Sequence, residues 1–217
     1  MEQLANKVAT KIANELSYPE EQKNVIAYGL IAVFQSLLMT FIVLTLGLIL
    51  NTFIESTILC FAVSILRKYS GGTHACSITS CTIIGVMVCT FFALVSKLLG
   101  PSMAHWVIMS ISGVLVYVYA IAIALLKAPV DSPNKPIRTV QKKRKMKSYT
   151  IIVLAVYIVI STILLFNINR SPIFSSALIS LFLSVIWQMS SLTLPGKIFL
   201  EGMDRLVYRV ITFERRT

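Results

Sequence analysis

Residues 104–126 read AHWVIMSISGVLVYVYAIAIALL, a run that contains no Asp, Glu, Lys or Arg. A helix of about 20 apolar residues is long enough to cross the hydrocarbon core of a bilayer. The run is apolar on both faces and does not alternate in polarity, which argues against a strand of a membrane β-barrel. This stretch therefore predicts a transmembrane helix.

Five further apolar runs extend the same pattern along the chain. The six predicted spans are 28–50, 52–66, 76–99, 104–126, 149–166 and 173–194. The second run is short and contains Glu55, which we expect to reach the outer membrane interface. The sequence thus predicts an all-α, polytopic membrane protein with about six transmembrane helices.

Composition is typical of a chain whose surface faces lipid. Hydrophobic residues make up 56% of the 217 residues and charged residues only 13%, with a mean hydropathy of +0.80. A soluble protein carries roughly a quarter charged residues. A net charge of +11 would indicate nucleic acid in a soluble protein, but no nucleic-acid-binding motif is present. We expect a lipid bilayer around the chain and no nucleic-acid partner.

The positive charges predict an orientation in the membrane. If all six runs span and the N-terminus is cytoplasmic, all of the 20 Lys and Arg residues except Lys97 and Arg170 fall in inner segments. Cytoplasmic loops of membrane proteins collect Lys and Arg in this way. We therefore expect a multi-pass protein of the cell membrane with cytoplasmic N- and C-termini.

The N-terminal segment is polar but periodic. Leu4, Val8, Ile12 and Leu16 recur every four residues beside three alanines, which predicts an amphipathic helix. Such a helix could lie in the membrane interface or dock a helical peptide. The predicted segments are a cytoplasmic amphipathic helix over 1–26, a six-span membrane domain over 27–195 with a candidate catalytic loop at 67–81, and a basic cytoplasmic tail over 196–217.

The loop at 67–81, RKYSGGTHACSITSC, carries the residues that could perform chemistry. Gly71 and Gly72 permit a tight turn, His74 follows them, and Cys81 comes seven residues later. A neighbouring histidine is a common means of favouring the thiolate form of a cysteine, which is its nucleophilic form. On one continuous helix the two residues would lie about 10 Å apart along the axis. A bend at the glycines must therefore bring them together if they cooperate.

Plainer interpretations of the same residues remain open. Cys81 could be a small apolar residue within a span, as we expect for Cys60 and Cys89, and His74 could be a surface residue of the loop. His74 and Cys76 could ligate a metal, but no third or fourth ligand stands near them in the sequence. The spacing of the cysteines fits no zinc ribbon and no CxxC redox pair. We expect no metal and no other cofactor.

Two further features could bind a substrate. Residues 128–136, APVDSPNKP, form a turn-rich stretch, and a basic cluster follows it. Such a cluster usually binds anionic lipid, but it could also receive an acidic peptide. Arg67 could likewise bind substrate carboxylates or phosphate head groups. The members of the cluster that we consider for substrate binding are Lys142, Lys143, Arg144 and Lys145.

The loop at 67–81 resembles the signature of the accessory gene regulator B (AgrB) proteins of Gram-positive bacteria. The stretch at 128–136, with basic residues after it, is similar to that family's loop between the fourth and fifth spans. Length, six spans and a polar amphipathic start agree, so the resemblance covers nearly the whole chain. The residues that carry the signature are Arg67, Gly71, Gly72, His74, Ala75 and Cys81.

The resemblance implies a membrane cysteine endopeptidase of quorum sensing, with His74 and Cys81 as catalytic residues at the cytoplasmic face. Its substrate would be an AgrD-like propeptide, which has an amphipathic leader, a short signal sequence and an acidic tail. The enzyme would remove the tail and promote closure of the signal into a thiolactone. The resemblance also suggests a homodimer, without indicating an interface. The alternatives are a peptide exporter or a non-catalytic membrane scaffold.

Overall fold

The computed structural model describes residues 2–72, 78–130 and 139–214 of the chain. Within these ranges the chain is helical and forms no strand, in agreement with the predicted all-α class. The helices are α1 (Glu2–Glu15), α2 (Glu20–Ile49), α3 (Phe53–Ser70), α4 (Ile78–Leu99), α5 (Trp106–Lys127), α6 (Val140–Phe166), α7 (Pro172–Ser190) and α8 (Leu194–Glu214).

Five of the described helices, α2, α4, α5, α6 and α7, are long and apolar enough to cross a membrane. The second predicted run is also helical, as α3, but this helix carries Glu55, Arg67 and Lys68. These charges set α3 apart from the five apolar helices, and its crossing of the bilayer stays a prediction from the charge distribution. The multi-pass architecture itself is confirmed.

The chain divides into two compact units, which comprise residues 1–42 and 43–217. In the first unit, α1 confirms the predicted N-terminal helix. The three alanines of the helix are buried, whereas Leu4 and Leu16 are each more than half exposed. Small residues therefore form the buried face of α1. The segment boundaries at 26 and 195 stay a prediction, because compactness does not define functional segments.

In the second unit, α7 is the central helix. Of its apolar stretch 67% is buried, against less than a third for each of the other candidate spans. Ser176, Ser180, Ser184 and Gln188 recur every four residues and are all buried, so they lie on one face of the helix. Small hydroxyl side chains allow close helix packing in membranes, and the most extensive helix–helix contact of the chain joins α7 to α3.

Buried tyrosines connect three helices of this unit. The Tyr157 hydroxyl on α6 donates to the carbonyl of Ala62 on α3 over 2.9 Å. The Tyr117 hydroxyl on α5 donates to the carbonyl of Tyr157 over 3.0 Å and lies 2.6 Å from the hydroxyl of Ser161. These bonds fix α3 against α5 and α6, which positions the C-terminal end of α3.

The expectation that Glu55 reaches the outer interface is wrong. Its side chain is only 2% exposed, and its Oε1 accepts a 2.7 Å hydrogen bond from Ser176 Oγ on α7. Lys97 Nζ, at the end of α4, lies 3.9 Å from the same oxygen. A buried carboxylate needs such partners, and it finds them here because α3 packs against α4 and α7.

Residues 194–214 form a regular helix, although the sequence predicted only a basic tail. Val207 of α8 packs with Ile84 and Val88 of α4 in one apolar cluster. The ring of Trp187 packs edge-on against Phe199 at a centroid distance of 6.2 Å. Helix α8 thus lies along α4, the helix that carries Cys81.

Candidate active site

The candidate catalytic loop begins where α3 ends. Gly71 has a φ of 72° and its N–H donates to the carbonyl of Arg67 over 3.0 Å, while Gly72 has a φ of 147°. Residues with a Cβ rarely adopt either conformation, whereas glycine adopts both readily. The two glycines therefore end the helix and turn the chain, as the sequence predicts.

A backbone contact joins this turn to the proline-containing stretch. The N–H of Val130 donates to the carbonyl of Ser70 over 3.0 Å, and Gly71 and Val130 form a parallel bridge. A Cβ at Gly71 would collide with the carbonyl oxygen of Val130. Glycine is thus required at position 71 for this close approach as well as for its φ angle.

Gln188 on α7 holds the same turn from the other side. Its Nε2 donates to Ser70 Oγ over 2.9 Å and to the Gly71 carbonyl over 2.8 Å. Sequence reasoning missed this residue. The signal that could have found it is an amide in an otherwise apolar run, one helical turn beyond Ser184 on the same face.

The candidate nucleophile, Cys81, is the fourth residue of α4 and is half-buried. Ser80 and Thr82, on either side of it, are buried. The predicted apolar role of Cys60 and Cys89 fits their burial. Cys81 alone among these three described thiols is partly accessible, as a nucleophile has to be.

Arg67 lies in the last turn of α3, within electrostatic range of Cys81. Burial lowers the pKa of the Arg67 guanidinium from its usual range, and attraction to the Cys81 thiolate opposes that decrease. The guanidinium stays protonated at any physiological pH. Arg67 therefore contributes a permanent positive charge to the last turn of α3, just before the candidate catalytic loop.

The second candidate catalytic residue, His74, lies outside the described residues, as do Cys76 and residues 131–138. The contact between His74 and Cys81 therefore stays a prediction. The described residues on either side of the segment that contains His74 are Gly72 and Ile78. Among the described residues, no group of three His, Cys, Asp or Glu side chains could hold a metal ion.

The basic cluster occupies the first two turns of α6, where its side chains are exposed. Aromatic contacts connect it to the end of α3. Lys145 Nζ lies 5.8 Å from the ring centroid of Tyr149, the Tyr149 and Tyr69 centroids are 5.3 Å apart, and Lys68 Nζ lies 5.5 Å from the Tyr69 centroid. Tyr69 is two residues before Gly71. The cluster and the glycine turn therefore belong to one region of the molecule.

The profile of the accessory gene regulator B family matches residues 5–192. The chain belongs to the AgrB family. Two AgrB-like proteins of Clostridium perfringens, from strains SM101 and 13, are each 34% identical to it over 214 residues, which cover 97% of this chain and 100% of each relative. No solved structure matches.

Membership in the AgrB family connects the chain to the accessory gene regulator system of quorum sensing. It also implies an AgrD-like propeptide as partner and a membrane as environment, in agreement with the apolar helices. The match extends over the glycine turn, Cys81 and the basic cluster.

Proposed function

We propose that this chain is a membrane cysteine endopeptidase that removes the C-terminal tail of an AgrD-like propeptide. The observation that carries the proposal is the position of Cys81. Its thiol is half-buried in the first turn of α4, near the guanidinium of Arg67. A positive charge and the N–H groups at the start of a helix can stabilise the negative charge that develops on a reacting group.

The proposed reaction begins with proton transfer from Cys81 to His74. The thiolate attacks the carbonyl carbon of the peptide bond before the acidic tail, and the negative charge develops on the carbonyl oxygen. Collapse of this intermediate breaks the C–N bond, and His74 returns the proton to the departing amine. The tail leaves, and the remaining peptide is held on Cys81 as a thioester.

Ring closure follows from a second acyl transfer. A cysteine thiol of the bound propeptide gives its proton to His74, attacks the thioester carbonyl and displaces the Cys81 sulfur, which takes up that proton. The product is a thiolactone, and the enzyme is regenerated. Water must be excluded during this step, since hydrolysis of the thioester would release a linear peptide.

The basic cluster is the proposed docking site for the acidic tail. Lys142 and Lys143 lie in the first turn of α6, where the helix dipole already favours anions and makes cations unfavourable. Their positions therefore oppose helix stability and create an anion-binding end. Because Tyr69 and Tyr149 pack against each other between the two regions, a tail bound there would be close to the turn at Gly71.

The membrane orientation is part of the proposal. With α3 as a sixth span, the Lys and Arg distribution supports a cytoplasmic position for both termini, the basic cluster and Cys81. A newly synthesised propeptide would meet the enzyme at that face. The homodimer suggested by the family resemblance stays a prediction.

Coexpression of the chain with a propeptide that has an amphipathic leader and an acidic tail tests the activity. We expect loss of the tail with the wild-type chain and no cleavage with Cys81→Ala or His74→Ala. Cys89→Ala is the matched control, because Cys89 is a buried thiol on the same helix, and it should cleave normally. Full cleavage by Cys81→Ala would exclude the peptidase mechanism and favour an exporter or a scaffold, which need neither side chain.

A further inference from the structure

Gln188 is a polar residue in a fully buried position. Its side chain has no exposed surface, and its two neighbours along the same face of α7, Ser184 and Ser180, donate to carbonyls of their own helix. Gln188 instead reaches out of α7. Helix packing alone does not explain a fully buried glutamine, because an apolar side chain of similar size would fill the space without the cost of burying an amide.

The amide nitrogen of Gln188 binds the end of α3. Its two N–H groups are engaged by Ser70 Oγ at 2.9 Å and the Gly71 carbonyl at 2.8 Å. The Gly71 carbonyl can only accept a hydrogen bond, which fixes the amide with its nitrogen toward the turn. A Cβ added at Gly72 would lie 3.5 Å from the same nitrogen, so Gln188 bonds two residues of the turn and lies close to the third.

The amide oxygen of Gln188 is left available. It is buried and accepts no hydrogen bond within the part of the chain that the structure describes. Buried acceptors are almost always satisfied in folded proteins. The amide oxygen can therefore still accept a hydrogen bond, and it lies on the residue that binds the turn at Ser70 and Gly71.

We propose that Gln188 is a positioning residue of the peptidase site. Through Nε2 it fixes the turn at Ser70 and Gly71, two residues of the chain segment that leads to His74. Its Oε1 is a buried acceptor without a hydrogen-bond partner among the described residues. The inference rests on the proposed peptidase function and adds a residue that acts through His74 and does not touch the scissile bond.

The test uses the full-length chain in lipid vesicles and the variant Gln188→Met, which keeps the size of the side chain and removes both hydrogen-bonding groups. Misplacement of a catalytic group by about 1 Å can lower a rate about 100-fold. We expect kcat for tail cleavage to fall by about 10-fold to 100-fold with KM nearly unchanged. Ser184→Ala, one helical turn away, is the matched control and should behave as wild type.

A second readout separates positioning from a general structural effect. The rate of Cys81 alkylation by iodoacetamide, measured against pH without propeptide, should shift in Gln188→Met toward the profile of His74→Ala. If Gln188 acts through His74, adding Gln188→Met to His74→Ala should cause no further change. Residues that act as one unit show this non-additivity.

Wild-type kcat in Gln188→Met, or an alkylation effect that adds fully to that of His74→Ala, would overturn the inference. If Gln188→Met does not accumulate in the membrane, Ser70→Ala takes its place in the same cycle, with a smaller expected loss of about 3-fold for one hydrogen bond. An unchanged kcat in Ser70→Ala would then overturn it. Cleavage by Cys81→Ala would instead show that the peptidase function itself is wrong.

Discussion

The backbone N–H of Val130 donates a 3.0 Å hydrogen bond to the carbonyl oxygen of Ser70. This bond pairs the turn at Gly71 with the third residue of the proline-containing stretch. Two stretches that lie about 60 residues apart in sequence, and that separately carry the resemblance to the AgrB family, thus meet in the structure. A change at either one should therefore affect the candidate catalytic loop.

Gly71→Ala should reduce both stability and cleavage. A residue with a Cβ at a φ of 72° costs about 1–2 kcal/mol, and the new Cβ would collide with the Val130 carbonyl. We expect a lower unfolding temperature in detergent and a loss of tail cleavage larger than the loss of folded protein. Gly202→Ala is the control, since the space around that glycine is open. Equal effects of the two substitutions would contradict the importance of the turn.

Neutralising the basic cluster should weaken substrate capture. Replacement of Lys142, Lys143, Arg144 and Lys145 by Gln should lower kcat/KM about tenfold at low salt, because rim charges act mainly on association. The difference from wild type should shrink at about 1 M salt, where the Debye length is about 3 Å. Lys7→Gln combined with Lys11→Gln removes exposed charge from α1 and serves as the control. Unchanged processing at low salt would rule out docking of the tail at this cluster.

Arg67→Gln should slow the reaction of Cys81 with a small alkylating agent. An electrostatic interaction of about 1 kcal/mol, the upper end of what exposed ion pairs contribute, changes an equilibrium about fivefold. We expect a decrease of this order for Arg67→Gln and a smaller one for Arg67→Lys, which keeps the charge. Lys68→Gln is the neighbouring control, because Lys68 lies over Tyr69. An alkylation rate that is the same in all four proteins would remove Arg67 from the site.

Ser176→Ala should destabilise the helix bundle. It removes the 2.7 Å hydrogen bond to Glu55 and leaves a buried carboxylate with Lys97 alone, 3.9 Å away. Leaving a buried charged group without its hydrogen bond costs about 1–3 kcal/mol. Ser175→Ala is the control, since that hydroxyl donates within its own helix. Thermal unfolding in detergent should separate the two variants, and a loss as large in Ser175→Ala would show that Glu55 does not depend on Ser176.

Much of the architecture could be predicted from local pattern. Long apolar runs determine where α2, α4, α5, α6 and α7 lie, and the glycines at 71 and 72 mark the end of α3. The periodicity of residues 4–16 predicts α1, but it does not reveal which face is buried. In lipid, a large apolar side chain loses little by facing outward, so hydrophobicity alone does not identify the packed face.

The remaining features depend on contacts between distant residues. Ser176, which satisfies Glu55, is 121 positions away in sequence, and Gln188 lies 117 positions from Gly71. No local pattern links such pairs, because they are set by how α7 packs against α3. Helix α8 was missed for a similar reason, since its apolar residue Val207 is buried only by packing against Ile84 and Val88 of α4.

The central claim is that Cys81 forms a covalent acyl bond with the propeptide. It is tested most directly by incubating the wild-type chain with a propeptide whose ring-forming cysteine is replaced by alanine, so that the thioester cannot be resolved, and mapping the adduct by mass spectrometry. The account predicts a hydroxylamine-sensitive adduct of the leader and signal sequence on Cys81, with the acidic tail released. Release of the tail with Cys81 unmodified, or an adduct on another residue, would contradict it.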